Sequence, residues 1–541
     1  MNGEIAHPNI HQRNYWYLLS LLLAVALVYL PFLGNPLVFD DRTFFSAGAV
    51  GYYAHAPFQF DSRWLPNASL GWTYAIFSDS NTYFFHLGNA LLHAGNVILL
   101  FYLLRQLVGA VISEQENSQA IIRGAWLGAL VFAIHPVAVY AVGYVMQRSI
   151  LMATFFALAM QLAYVKGLLT GHKRWLVLAV IAYFMAVFSK EHSVMMPAVL
   201  AVITVLLRAR NKLDKRTLWL TGSAFVAVAV LFMLRVKGVF GVAYEFTAAM
   251  KFEQQGVIES APMLHLLSVL TQAGLFFKYL LLWLLPNPAW MSVDMREHFI
   301  ANLTSWRGWA GALGFIAYGV FAFRLLLSPR WLGLTGFALL YPWLQFWVEF
   351  SSIRVQEVFV LYRSYLWLPG MMLLFPCLLA RFPGRKTVSA LAVAMLLLTA
   401  FSWNRLWVFS DNYRLWNDAA LLLPSEQAAG ADRIFFNRGE AADLAHKWDA
   451  AVADYQRAVA LSPQLAPMRY ALGLAYAKSG RYREAITQFD VVISFQPDVA
   501  LGYYVKGLSL IQLHERDQAL VQLRKSCDLG NEKACMMAGQ M

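Results

Sequence analysis

What most constrains this chain is the recurrence of apolar stretches about as long as a lipid bilayer is thick. Crossing the hydrocarbon takes about 20 mostly apolar residues per helix, and such runs return from Tyr15 to Leu33 through to about Phe409, then stop after Asp411. With 59% hydrophobic and only 14% charged residues, the chain is too apolar to fold wholly in water. Spans are read at roughly 15–33, 84–107, 122–142, 145–168, 175–189, 192–208, 217–235, 308–327, 331–348, 361–380 and 387–408. The expected fold class is all-α: a polytopic membrane helix bundle of about 11 spans over residues 1–410, with outer loops at 34–83 and 236–307, then a soluble domain at 411–541.

Charge supplies an orientation. The formal charge is +12, yet residues 411–541 hold 14 of the 43 Lys and Arg against 15 of the 31 Asp and Glu, so the basic excess belongs to the membrane part. The basic connections are HKR at 172–174, RARNKLDKR at 208–216, Arg324 with Arg330, and RFPGRK at 381–386. Positive loops stay on the cytoplasmic side. With the N-terminus inside, all four do so only if segment 264–285 enters and leaves on one face, which puts 411–541 outside. A full crossing by 264–285 would instead place Arg381, Arg385 and Lys386 outside and the soluble domain in the cytoplasm. The stretch from Tyr15 to Leu33 lacks an A-x-A-like cleavage site and reads as an uncleaved first helix. Nucleic acid is a poor explanation of the basic excess, because the soluble domain has no basic stripe with interleaved aromatics.

The C-terminal part repeats every 34 residues. Gly439, Gly473 and Gly507 keep that interval, as do Ala451, Ala485 and Ala519, and Pro463 with Pro497. Small residues let two helices approach closely and a proline ends the second one, which is the tetratricopeptide pattern. About three units stack into an α-solenoid whose concave face binds a partner protein or packs on the membrane domain. Cys527 and Cys535 flank DLGNEKA in the last unit, which resembles Sel1-like repeats, where cysteines at this spacing join neighbouring helices. The two are either a disulfide, which needs an oxidising compartment, or two buried thiols.

The polar residues gather where the topology places the outer face. LVFDDRTFF sets Asp40 and Asp41 where the chain leaves the first span; they are either solvated helix-end acids or functional carboxylates. The loop after them carries Arg63 and leads to His86, while Asn89 and His93, at i, i+4 spacing, suit interhelical hydrogen bonds. His135, Gln147 with Arg148, Lys190–Glu191–His192, Arg354, Glu357, Arg363 and Tyr365 fall on the same side. Charges near membrane depth are costly unless paired or lining a wet cavity. Together they point to one hydrophilic cavity, although each alone is equally an ordinary helix-end charge.

In these residues the chain resembles multi-span glycosyltransferases of the GT-C fold, and among them the transmembrane and tetratricopeptide-repeat O-mannosyltransferase-like branch. FDDR at 39–42 is similar to that family's acidic pair, and RWLPNASLGWTYAIFSDSNTYFFHLGNALLH resembles its R-P-L…FHL stretch. FAIHPVAVYAVGYVMQRSILMATFF, FSKEH, PNPAWMSVD and YRSYLWLP resemble further family elements in the same order, over nearly the whole chain. Tyr140 and Tyr362 stand where the family commonly has Glu, with Ser364 inside the last motif.

The resemblance implies an inverting transferase that takes a sugar from a polyprenyl-phosphate donor and attaches it to a hydroxyl of a protein acceptor, a pilin or another exported protein presented by the repeats. A hydroxyl nucleophile needs a base; by position that is Asp40, with Asp41 orienting it or binding the acceptor. The leaving phosphate needs fixed cations: Arg363 and Arg63 first, then Lys190 and Arg148, with Glu191, His192, His135 and Tyr365 around sugar and phosphate. The family leaves room for a divalent metal, but no ligand cluster beyond the acids indicates one. Compact loops and a short repeat array suit a bacterial inner membrane, with the N-terminus cytoplasmic and the repeats periplasmic. Two other classes fit parts of the pattern. A transporter or flippase of lipid-linked saccharide would show inverted repeats and broken helices; a membrane-anchored assembly scaffold would have no need of the charged residues.

Overall fold

The computed structural model describes residues 10–46, 48–78, 81–112, 114–235, 261–355 and 357–541. The start of the chain and residues 236–260 of the expected outer loop 236–307 lie outside the described residues. All regular elements among the described residues are helical. The chain divides into two compact units, one formed by residues 1–291 with 298–411 and the other by 292–297 with 412–541.

The first unit is a bundle of apolar helices, and the protein is an integral membrane protein. Among the described residues, seven helices are long and apolar enough to cross a bilayer: Tyr15–Phe32, Tyr83–Ile112, Val145–Thr170, Lys215–Arg235, Pro262–Leu284, Trp306–Leu327 and Arg385–Val408. An eighth forms if Gln119–Ile134 and Pro136–Val142, bent by 60° at His135, count as one. The bend follows from sequence, since Pro136 has no N–H to donate and His135 caps the new helix by accepting from the Val137 N–H.

The other expected spans are shorter or broken. Residues 175–189 and 331–348 become the 17-residue helices Lys173–Ser189 and Arg330–Phe346. The 192–208 stretch is a 3-10 turn, Glu191–Met195, leading into Met196–Leu206, and 361–380 is the 3-10 turn Leu361–Leu366 followed by Leu368–Met371 and Leu374–Arg381. Irregular backbone at membrane depth is tolerated where protein rather than lipid surrounds it. The breaks at Glu191 and Leu361 fall next to Lys190 and Arg363, both of which are buried.

Segment 264–285 is one unbroken helix, Ala261–Leu284, not a hairpin returning on itself. It runs parallel to Trp306–Leu327: Gly308 lies against Leu270, Gly311 against the Gly274 backbone and Gly314 against Phe277. Two parallel neighbours require the chain between them to travel back, and that connection holds only a 3-10 turn, Pro288–Trp290.

The second unit stacks helix pairs Ala431–Leu444 with Trp448–Leu461, Ala466–Lys478 with Tyr482–Phe495, and Ala500–Gln512 with Arg516–Asp528, preceded by Asn412–Leu421 and closed by Glu532–Gln540. The periodic glycines sit where the paired helices touch. A Cβ on Gly473 would come within 2.5 Å of Phe489, and on Gly439 or Gly507 within 3.0 Å of Tyr455 or Leu523. Ala451, Ala485 and Ala519 are fully buried at the matching contacts. The turn inside each pair needs a left-handed residue: Gly480 meets it at φ 78°, whereas His446 and His514, 34 positions to either side, adopt φ 57° and 61°. Cys527 and Cys535 are joined by a disulfide that ties Arg516–Asp528 to the last helix.

Candidate active site

The acidic pair separates into two roles. Phe39 adopts a left-handed φ of 52°, which turns the chain out of the first span so that Asp40 and Asp41 open a new helix. Asp41 is buried, and its carboxylate accepts backbone N–H groups from Val38 at 3.1 Å, Val145 at 3.3 Å and Met146 at 2.7 Å. Burial raises its pKa to about 7, against the lowering effect of those three bonds. It therefore pins the first-span exit to the 144–147 turn, and its oxygens are taken up by backbone amides, not offered to an acceptor. Asp40 is exposed. Its N–H donates to the Tyr144 hydroxyl at 3.2 Å, and its side chain hydrogen-bonds that phenol.

A charged cluster is assembled from four separate stretches. Arg63, held at a left-handed φ of 63°, meets Glu191 through two bonds of 3.1 and 2.5 Å. His192 follows, with Nε2 3.0 Å from Glu349 and Nδ1 3.5 Å from Glu191. Glu349 also pairs with Arg354 at 2.9 Å and Arg363 at 3.0 Å, and Arg363 lies 3.8 Å from Glu357. Burial alone would raise the Glu349 carboxyl, but Arg354, Arg363 and His192 together hold it well below the usual range. Strained backbone at Phe39 and Arg63, each in a conformation costing about 1–2 kcal/mol for a residue with a side chain, marks the edges of this region.

Lys190 joins the two halves. Its residue is 3% exposed, and its ammonium stands 5.5 Å over the ring of Tyr362. That ring in turn meets Tyr144 edge-on, centroids 6.2 Å apart. An exposed carboxylate, two phenols and a buried amine thus form one row, Asp40–Tyr144–Tyr362–Lys190, that ends in the cationic cluster.

Three residues grouped with the site from sequence are engaged elsewhere. Arg148 is buried and spends its guanidinium on neutral acceptors, donating to Asn89 Oδ1 at 2.9 Å, Thr73 Oγ1 at 3.1 Å and the carbonyls of Ser69 and Phe85 at 3.2 and 2.8 Å. It binds helices together. His135 has both ring nitrogens occupied: Nδ1 accepts from Val137, so Nε2 donates to the Trp283 carbonyl at 3.2 Å, with the ring stacked on Trp283. Tyr365 is fully buried and donates to His93 Nδ1 at 2.6 Å while accepting from Asn96. Asn89 and His93 make interhelical bonds, Asn89 to the carbonyls of Val142, Tyr144 and Val145 and His93 to that of Ala133.

Glu349, the hub of the cluster, was missed from sequence. It stands one residue past an expected span, in FWVEFSS, and the signal was available: a carboxylate in an apolar run demands a partner. Among the described residues, no three His, Cys, Asp or Glu groups converge so as to hold a metal ion.

Residues 446–480 match the family model described as TPR repeat and residues 466–499 that described as Tetratricopeptide repeat. The C-terminal unit is a tetratricopeptide-repeat solenoid. No curated protein matches the chain. Among solved structures, the tetratricopeptide unit brings in MamA, 23% identical over 29% of this chain and 85% of that one with a TM-score of 0.21. It also brings in YrrB, "a TPR protein with an unusual peptide-binding site", 21% identical over 31% and 89% with a TM-score of 0.22. ArnT from Cupriavidus metallidurans, crystallised bound to undecaprenyl phosphate, aligns over 90% of this chain and 80% of its own at 12% identity and a TM-score of 0.38.

Proposed function

We propose that the protein is a membrane glycosyltransferase of GT-C type that moves a sugar from a polyprenyl-phosphate donor to a hydroxyl of a protein acceptor. The observation that carries this reading is the row from exposed Asp40 through Tyr144 and Tyr362 to Lys190 and the arginines. It sets an exposed carboxylate and a cation cluster in one row, the pairing that sugar transfer from a phosphate needs. The acceptor oxygen attacks the anomeric carbon with inversion and gives its proton to Asp40. The bond from that carbon to the phosphate oxygen breaks, and the electron pair stays on the phosphate, whose new charge the cluster stabilises. The motif order of the sequence supports the same reaction.

The outer, periplasmic placement of the repeats is supported by the positive bias of the basic connections. The disulfide between Cys527 and Cys535 fits an oxidising compartment. The tetratricopeptide solenoid would select the acceptor, a pilin or another exported protein.

The test is turnover by purified protein in liposomes supplied with polyprenyl-phosphate sugars and an acceptor peptide. Release of polyprenyl phosphate that wild type supports and Asp40→Asn does not would support the reading; no release from any donor, with saccharide movement across the bilayer instead, would favour a transporter.

A further inference from the structure

We propose that Lys190, and not the arginines around it, is the residue that receives the phosphate of the lipid-linked donor as it leaves. This inference rests on the transferase reading and identifies which cation of the cluster does the work. The arginines already have carboxylates: Arg63 holds Glu191, and Arg354 and Arg363 share Glu349, with Glu357 beyond. Their charge is largely spent inside the protein. Lys190 is different. The residue is 3% exposed, no hydrogen bond or ion pair from its ammonium is present among the described residues, and the ammonium stands over the face of Tyr362. A largely buried cation beside three arginines is costly, and a phosphate arriving over Tyr362 would remove that cost while standing in the same row as Asp40.

The chemistry matches the need. The donor is a phosphodiester with one negative charge. When its bond to the sugar breaks, the oxygen keeps the electron pair and becomes part of a phosphomonoester, which carries close to two charges above a pKa of about 6. One additional cation is what the product has over the substrate, and Lys190 is the amine in place to supply it.

The groups that set its charge are Arg63, Arg354 and Arg363, which repel it, and Glu191, which attracts it, with Tyr362 alongside. Burial first, then Arg63, brings the amine down to about 7. Without ligand it loses its proton as pH rises above neutrality, and a bound dianion restores it. Affinity for a phosphomonoester therefore falls from about pH 7.5 to 9.5, a range in which the monoester itself stays doubly charged.

The experiment measures binding of polyprenyl phosphate to the full-length protein in nanodiscs, against polyprenol and inorganic phosphate, for wild type, Lys190→Met and Lys190→Arg. The expected result is a loss of about 10-fold or more in Lys190→Met, retained binding that is flat with pH in Lys190→Arg, and no displacement by millimolar inorganic phosphate. Wild-type binding retained in Lys190→Met, or equal losses in both variants, overturns the assignment to Lys190 while leaving the donor class intact. Displacement by inorganic phosphate alone replaces the lipid headgroup by free phosphate as the ligand. A wild type that binds polyprenyl phosphate no better than polyprenol removes the donor reading itself.

Discussion

Arg63 and Glu191, separated by 128 positions, face each other through two hydrogen bonds of 3.1 and 2.5 Å. The pair fixes the loop after the first span to the 3-10 turn that follows Lys190 and carries His192, so one contact ties two parts of the cluster together. The Arg63 side chain is about one-third exposed, which screens the pair and keeps its worth modest, about 1 kcal/mol.

The consequence is a separation of stability from activity. Glu191→Gln and Arg63→Gln should each lower the melting temperature slightly and reduce sugar transfer strongly. The exchange Arg63→Glu with Glu191→Arg should recover most of the stability while transfer stays low, because the positive charge would move away from its place. Thermal melts and turnover of the three proteins check this.

Asp41 makes a pH prediction whose sign differs from that of an ordinary carboxylate. Its folded pKa of about 7 lies above the unfolded value of about 3.9, so its contribution to stability is fully present below pH 4 and is lost as pH rises toward 7. The full loss amounts to about 4 kcal/mol. Asp41→Asn cannot ionise, so its melting temperature relative to wild type should climb between about pH 4 and 7 and level off above. A difference that stays flat with pH would contradict the raised pKa.

The repeat unit offers opposite effects at positions 34 residues apart. Gly473→Ala places a methyl 2.5 Å from Phe489 and should destabilise the unit by about 1–3 kcal/mol. His514→Gly removes a left-handed histidine and should stabilise it by about 1 kcal/mol. Differential melting of the full-length protein measures both, and a Gly473→Ala protein as stable as wild type would show that the helices are not in close register.

Much of this was legible in the sequence because its signals are periodic or compositional. Apolar runs announced the bundle, and the 34-residue interval of Gly439, Gly473 and Gly507 announced the repeats, since both follow from how helices meet lipid or each other. Asp40, Arg63, Lys190 and Arg363 were readable as polar residues in apolar surroundings. Which of them point into the site was not. Arg148, His135 and Tyr365 lie in the same kind of sequence as Lys190, but their side chains meet backbone carbonyls and neighbouring helices, and the direction of a side chain is a tertiary property. Glu349 was overlooked because it has no motif around it. The left-handed turns at His446 and His514 emerge only when Gly480 is aligned with them.

The central claim, that Asp40 is the base of a transfer to protein, is tested most directly by the mass of exported proteins in cells carrying wild type, Asp40→Asn, Asp41→Asn or no copy, at equal membrane expression. The account predicts a sugar-sized increment on at least one exported protein that disappears with Asp40→Asn as it does without the protein. An increment that survives Asp40→Asn but is lost in the null would contradict the assignment of the base, and no increment in wild type would contradict the transferase itself.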